Sequence, residues 1–189
     1  MQIDFKGKKA IVCGGSRGIG RAIALGFARA GGDVSICARD PKALEETRAE
    51  LAALGVKAHA ASADLAQGDA VRGYVRDAVK ALGGLDLLVN NASAFGSTDD
   101  DKGWTANLAV DMLSIVHATQ EALPALKASQ GSVVNISSIS ALHPAARQPP
   151  YGAIKAAVIH YTATQAAMYA KDRIRVNCIA PGSIEFPGG

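Results

Sequence analysis

Tyr151 and Lys155 are four positions apart, a spacing that places both side chains on one face of a helix, one turn from each other. A phenol with an ordinary pKa of about 10 is a poor proton donor or acceptor near neutral pH. A fixed ammonium about 4 Å away would favour the phenolate by roughly 4 kcal/mol at an effective dielectric constant near 20. The pair could therefore perform general acid/base catalysis. By itself it also fits a solvated helix face, so its meaning depends on the rest of the chain.

The pattern of apolar runs predicts the elements that position this pair. The six strand candidates are mostly Val, Ile, Leu, Ala and Cys without clean alternation, which is typical of strands covered on both faces. Strands alternate with amphipathic helices, so we predict an α/β fold, a single-domain doubly wound parallel sheet (Rossmann fold). The predicted strands are 9–13, 33–38, 57–62, 85–90, 131–137 and 175–179, and the predicted helices are 18–30, 41–54, 67–82, 104–127 and 151–170.

Length, charge and residue composition exclude several classes of protein. The 189 residues suffice for one domain with a sizeable core, and a net charge of +3 does not indicate nucleic acid or a membrane surface as a partner. The N-terminus lacks the apolar core of a signal peptide and no run is long enough to span a bilayer, so a cytoplasmic protein is expected. Cys13, Cys37 and Cys178 lie in separate apolar runs and are expected to be buried and reduced. The four histidines share no ligand spacing, so no metal is expected.

A Gly-rich turn joins the first strand to the first helix. Its spacing is Gly-x-x-x-Gly-x-Gly, and glycines in this position let backbone amides approach a pyrophosphate at the positive end of a helix. The strand before it and the helix after it are the context that makes this interpretation specific. The expected cofactor contacts in the turn are Gly14, Ser16, Arg17, Gly18, Ile19 and Gly20.

The end of the second strand indicates which dinucleotide binds. An acidic residue there would accept the ribose 2′-hydroxyl of NAD, and Ala38 cannot. Arg39 follows, and Arg17 is expected at the same end of the sheet, so two guanidinium groups could bind a 2′-phosphate. We therefore predict NADP, with NAD less favoured. The alternative is that both arginines are ordinary surface residues and that Asp40 neutralises one of them.

These features occur in a fixed order with three others, the run 90–93 (Asn-Asn-Ala-Ser), Ser138 and the Pro181–Gly182 pair. The whole series resembles the short-chain dehydrogenase/reductase family, and is most similar to its 3-oxoacyl-acyl carrier protein reductase-type members. The resemblance implies a nicotinamide cofactor and hydride transfer between that cofactor and a carbonyl or alcohol.

The resemblance also implies residue roles. Tyr151 would donate the proton to the substrate oxygen, Lys155 would assist it and bind the nicotinamide ribose, and Ser138 would hold the substrate oxygen. As a plain alternative, Ser138 could simply cap a strand end. Asn90 would stabilise the central sheet, and Asp64 could instead serve a helix N-terminus. The remaining implied cofactor contacts are Asp64, Leu65, Asn91, Ala92, Pro181, Gly182 and Ile184.

The chain departs from the family pattern at several positions. The family's relay Asn, seven residues after a Trp, is here Asp111, with Asn107 as a weaker substitute. We expect Asp111 to take that Asn's catalytic role and, by its negative charge, to shift the pH optimum upward. The usual Gly at position 93 is Ser, and Phe186 replaces a Thr that binds the carboxamide, so backbone near Ile184 would take over.

Two further expectations follow from the resemblance. The family's substrate-covering C-terminal segment is expected to be missing from residues 1–189. The helices 104–127 and 151–170 would carry the surfaces for a homodimer or homotetramer, although their apolar faces could simply be core.

The favoured function is an NADP-dependent reductase acting on a small carbonyl or alcohol. The alternative is a non-catalytic NADP-binding sensor or scaffold.

Overall fold

In the computed structural model of the chain, residues 3–95 and 98–185 are described. The strands are β1 (Lys9–Cys13), β2 (Asp33–Ala38), β3 (Ala58–Ser62), β4 (Leu87–Asn90), β5 (Ser132–Ile136) and β6 (Arg175–Ile179). They form a six-stranded parallel sheet with strand order β3-β2-β1-β4-β5-β6. The order reverses between β1 and β4, the switch point at which doubly wound sheets bind ligands. The predicted fold class is confirmed.

Helices cover the two faces of the sheet unequally. One core cluster joins α3 and α5 to the sheet and a second joins α1 and α2 to it. The expectation that every strand is covered on both faces is wrong for β3 and β6, because these outer strands keep partly exposed side chains. The helices are α1 (Gly18–Arg29), α2 (Pro41–Ala53), α3 (Gly68–Leu82), α4 (Asp101–Asn107), α5 (Ser114–Ser129) and α6 (Pro149–Tyr169).

The predicted helix 104–127 is longer and less regular than expected. It begins at Asp101 because the Asp100 carboxylate caps it, accepting a hydrogen bond from the Gly103 amide at 2.7 Å. That bond lowers the pKa of Asp100. Between α4 and α5 the chain winds as a π-helix over Leu108–Leu113. Such segments interrupt the regular bonding of an α-helix and are frequent at functional sites.

All three cysteines lie on strands of the sheet. Cys13 and Cys37 are register partners on β1 and β2, and both are buried. A hydrogen bond to Cys37 and burial both raise the pKa of Cys13, so its thiol stays protonated. Cys178 on β6 is half-buried.

Two negative findings apply to the described ranges. No helix there has the length and apolarity needed to cross a membrane. No group of three or more His, Cys, Asp or Glu side chains in the same ranges could hold a metal ion.

Candidate active site

The first two turns of α6 carry the candidate catalytic pair. The helix begins at Pro149, whose fixed backbone suits a first helical position. Tyr151 is 9% exposed and Lys155 is 2% exposed. The Lys155 Nζ lies 5.6 Å from the centre of the Tyr151 ring. The spacing of the pair thus places both side chains on one face, as predicted.

Lys155 is held by three neighbours rather than by Tyr151 alone. Its Nζ donates to the Ile136 carbonyl oxygen at 2.9 Å, where β5 ends, and lies 3.0 Å from Asp111 Oδ1. Its own backbone carbonyl accepts a hydrogen bond from the Ser137 hydroxyl at 2.8 Å. These contacts fix the ammonium at the carboxyl end of the sheet, beneath Tyr151.

Asp111 is fully buried within the π-helical segment. Its two carboxylate oxygens serve different partners, since Oδ1 pairs with Lys155 and Oδ2 accepts from the Ala94 amide at 3.0 Å. A carboxylate removed from water needs such compensation, because an unpaired buried charge is very costly. Asp111 therefore joins three segments of the site: the π-helical segment, α6 and the loop after β4. Asn107, the weaker candidate, lies one turn earlier and donates to the Gly103 carbonyl at 2.9 Å.

Ser138 lies just beyond the end of β5. It is buried, and its hydroxyl oxygen accepts a hydrogen bond from the Ser140 amide at 3.1 Å. That bond caps a 3₁₀ turn over Ile139–Ala141, so the plain alternative of a capping serine is real. Because the cap uses the oxygen only as an acceptor, the hydroxyl proton remains available to a substrate oxygen.

Gly152 lets this turn approach α6 closely. A Cβ on Gly152 would come within 3.0 Å of the Ser140 carbonyl oxygen and 2.8 Å of the Ala145 Cβ. A larger residue between Tyr151 and Lys155 would push the Ser138 segment outwards. No residue spacing in the sequence marks this glycine.

The Gly-rich turn meets the amino terminus of α1 at the switch point. The N-cap of α1 is Arg17, whose side chain makes no capping hydrogen bond, whereas Asp40 and Asp100 cap α2 and α4. Within residues 3–95 and 98–185 the amides of the first turn of α1 therefore have no capping side chain, and they carry the positive end of the helix dipole. An anionic pyrophosphate fits this place.

The loop after β4 closes onto the same turn. The Asn91 side chain donates to the Gly14 carbonyl at 2.9 Å. A Cβ on Gly20 would lie 2.1 Å from that same oxygen, so only glycine fits there. Asn90 is buried and donates to Asn135 Oδ1 at 2.8 Å, which ties β4 to β5. Ala92 lies against Gly14.

Arg17 and Arg39 are both exposed at this edge. Neither forms an ion pair within residues 3–95 and 98–185. The alternative that Asp40 neutralises one of them is not supported, because Asp40 Oδ1 accepts from the amides of Lys42 at 2.9 Å and Ala43 at 3.4 Å. Both guanidinium groups are therefore available to an anion.

The other predicted cofactor contacts line the same edge. Asp64 is exposed after β3, and its Oδ1 accepts from the Ala66 amide at 3.1 Å; it is not the N-cap of α3, which is Gln67. Leu65 is buried in the core. The Pro181 carbonyl accepts from the Ile139 amide at 3.0 Å. The predicted role of Phe186 concerns a residue outside the described ranges.

Phe95, like Gly152, is a site residue that could not be predicted from the sequence. Its ring stacks beside that of Tyr151, with 6.1 Å between centroids and 21° between the ring planes. It stands two positions after the departure noted at Ser93, which is the only sequence signal that pointed to this loop.

Comparisons with known proteins identify the family. The sequence profile of the short chain dehydrogenase family matches residues 8–187. The chain belongs to that family.

Characterised and uncharacterised relatives are both similar to it. An uncharacterized oxidoreductase of Mycobacterium tuberculosis is 40% identical over 94% of this chain and 69% of its own length. A 3-oxoacyl-[acyl-carrier-protein] reductase of Chlamydia pneumoniae is 34% identical over 98% of this chain and 77% of its own. The crystal structure of a short chain dehydrogenase from Burkholderia cenocepacia in complex with NADP has a TM-score of 0.91 and 40% identity, covering 96% of this chain and 76% of that one. The chain thus spans about 70 to 80% of these proteins.

Proposed function

We propose that this chain transfers a hydride between NADP(H) and a carbonyl or alcohol substrate, with Tyr151 as the general acid/base. The observation that carries the proposal is the Lys155 ammonium, fixed 5.6 Å from the Tyr151 ring at the carboxyl edge of the sheet. Ser138 follows the same strand, β5, whose last carbonyl accepts from Lys155, and the uncapped amino terminus of α1 lies at the same edge of the sheet. The bound nicotinamide would supply or accept the hydride.

Ser138 and Tyr151 would bind the substrate oxygen, and Tyr151 would transfer the proton. In the reductive direction the Ser138 hydroxyl would donate a hydrogen bond to the carbonyl oxygen, polarising the carbonyl. Tyr151 would then give its proton to the same oxygen as the hydride arrives at carbon, leaving an alcohol and a phenolate. The Lys155 ammonium would stabilise that phenolate, and Asp111 would hold the ammonium in place.

The residues present fit a dinucleotide with a 2′-phosphate. The first-turn amides of α1 would bind the pyrophosphate, and Asn91 and Ala92 would border the nicotinamide half. Arg17 and Arg39 would bind the 2′-phosphate, which supports NADP over NAD, since Ala38 offers no carboxylate to a ribose hydroxyl.

The direct test is a titration of the protein with NADPH and NADH by nicotinamide fluorescence, followed by a panel of ketones in the same cuvette. NADPH binding and its oxidation by at least one ketone are expected. Binding without turnover would favour the alternative of a non-catalytic sensor, and binding of neither cofactor would contradict the proposal.

Cofactor choice gives a separate prediction. Arg39→Ala should weaken NADPH binding about 10- to 100-fold, since hydrogen bonds to charged groups contribute about 1.5–3 kcal/mol. NADH binding should change less than threefold, because NADH lacks the 2′-phosphate. Arg76→Ala, which removes an exposed guanidinium on α3, is the matched control for both titrations. An equal loss for NADPH and NADH in the Arg39 variant would show that Arg39 does not recognise the 2′-phosphate.

Self-association into a homodimer or homotetramer stays a prediction. Exposed apolar side chains on α4, on the π-helical segment and on α6 support it, because a surface of this kind commonly marks an interface. They are Trp104, Leu108, Leu113 and Met168.

A further inference from the structure

Phe95 presents an exposed aromatic ring beside the candidate general acid. Its centroid lies 6.1 Å from that of Tyr151, within the range of offset aromatic pairs. Phe95 is nevertheless 60% exposed, so most of its surface is not used in packing the protein. A ring placed this way offers an apolar wall to whatever binds at the Tyr151 hydroxyl.

The backbone at Phe95 is held in an unfavourable conformation. Its φ of 51° lies in the left-handed region, which is uncommon for a bulky side chain. The Ser93 hydroxyl accepts from the Phe95 amide at 3.2 Å, and Asp111 Oδ2 accepts from the neighbouring Ala94 amide at 3.0 Å. Such strain persists where surrounding contacts enforce it and clusters at functional sites. The carboxylate that pairs with Lys155 therefore also holds the backbone next to Phe95.

Other exposed apolar side chains lie on the loops that follow β5 and β6. Ile139 and Leu142 belong to the turn that follows Ser138, and Ile184 follows Gly182. The two loops touch, because the Ile139 amide donates to the Pro181 carbonyl and Ile139 Cδ1 would lie 3.8 Å from a Cβ at position 182. Exposed apolar side chains thus lie on the loops after β4, β5 and β6, at the same end of the sheet as Lys155.

We propose that Phe95 is a specificity-determining residue, which selects carbonyl compounds bearing a planar apolar substituent, such as aryl ketones. The substituent would lie against the Phe95 ring while the carbonyl oxygen binds at the Tyr151 and Ser138 hydroxyls. A hydroxyl-rich substituent at the same place would lose water without gaining hydrogen-bond partners from these side chains. The inference rests on the proposed function for the identity of the reacting group, but it concerns binding and can be measured without turnover.

The test compares three methyl ketones whose second substituent is phenyl, cyclohexyl or hydroxymethyl. Their dissociation constants are measured by ligand-observed NMR on the full chain, with and without saturating NADP⁺. The native protein should bind the phenyl ketone at least about fivefold more tightly than the hydroxymethyl ketone, in line with the strength of aromatic contacts. The cyclohexyl ketone should lie between them, because it is apolar but not planar.

Two substitutions separate apolar character from planarity. Phe95→Ser should weaken binding of the phenyl ketone about five- to tenfold and change binding of the hydroxymethyl ketone less than twofold. Phe95→Leu should keep the affinity for the cyclohexyl ketone and lose the advantage of the phenyl ketone. Leu54→Ser, which removes a partly exposed apolar side chain at the end of α2, is the matched control and should change nothing.

Equal affinities for the phenyl and hydroxymethyl ketones in the native protein would overturn the inference, as would a preference that survives in Phe95→Ser. Failure of the proposed function gives a different result. A protein that prefers the phenyl ketone in binding but never reduces it would contradict the reductase and leave the role of Phe95 standing.

Discussion

Tyr151→Phe should lower the rate of ketone reduction about 10²- to 10⁴-fold, because the substitution removes the proposed proton donor. The affinity for NADPH should stay within about threefold of the native value, because almost nothing else changes. The ring stays, so its contact with Phe95 and its position over Lys155 are kept. Single-turnover rates with saturating NADPH measure the loss without interference from product release. The split between rate and cofactor affinity separates a chemical role from a structural one.

Tyr161→Phe is the matched control. It also removes a tyrosine hydroxyl from α6, but more than two turns beyond Tyr151. Burial raises the pKa of Tyr161, so that phenol stays protonated and no proton transfer is expected from it. A Tyr151→Phe enzyme that reduces ketones at a rate within threefold of the native enzyme would remove Tyr151 from the mechanism.

Asp111→Ala should lower the free energy of unfolding by about 3–5 kcal/mol, the usual cost of removing one partner from a buried ion pair. Lys155 would then keep only the Ile136 carbonyl as a hydrogen-bond acceptor, and the Ala94 amide would lose its acceptor. Urea unfolding followed by circular dichroism measures the change, provided that the slope with urea is unaltered.

Asp101→Ala is the control for that measurement, because Asp101 is an exposed acidic residue in the first turn of α4. Substitutions at such exposed positions usually change stability by no more than about 0.5 kcal/mol. If Asp111→Ala is no more destabilising than its control, the Lys155–Asp111 pair does not hold the site together.

Asp111→Asn separates charge from shape. The amide oxygen can still accept from Ala94, but the negative charge near Lys155 and Tyr151 is gone. Because that charge opposes formation of the phenolate, the alkaline limb of the pH–rate profile should move to lower pH. A profile that does not move would show that Asp111 has no electrostatic effect on the proton transfer.

The sequence predicted the fold well because its signals are local. Strands β1, β2 and β6 have the predicted bounds, since each is a short apolar run bounded by charged or turn-forming residues. The i, i+4 spacing of Tyr151 and Lys155 also survives folding, because a helix converts spacing directly into position. The order of family motifs along the chain then supplied the placement of Ser138 and the Gly-rich turn.

The features that could not be predicted from the sequence depend on contacts between residues that are far apart along the chain. Asp111 was expected to stand in for a relay residue, but its direct pairing with Lys155 depends on the π-helical segment, which no residue spacing revealed. Phe95 is adjacent to no motif residue that would mark it, and its contact with Tyr151 comes from a backbone turn enforced by Ser93 and Asp111. Likewise, only the structure shows that Asp40 caps α2 and forms no ion pair with Arg17 or Arg39 among the described residues.

The most direct test of hydride transfer uses NADPH carrying deuterium at C4 of the nicotinamide, prepared separately in each of its two stereochemical forms. The protein is incubated with each form and the ketone panel, and the alcohols are analysed by mass spectrometry. One of the two forms should place a single deuterium on the former carbonyl carbon, and Tyr151→Phe should reduce that label about 10²-fold or more. Saturating NADPH binding with no deuterium in any alcohol from either form would contradict the account.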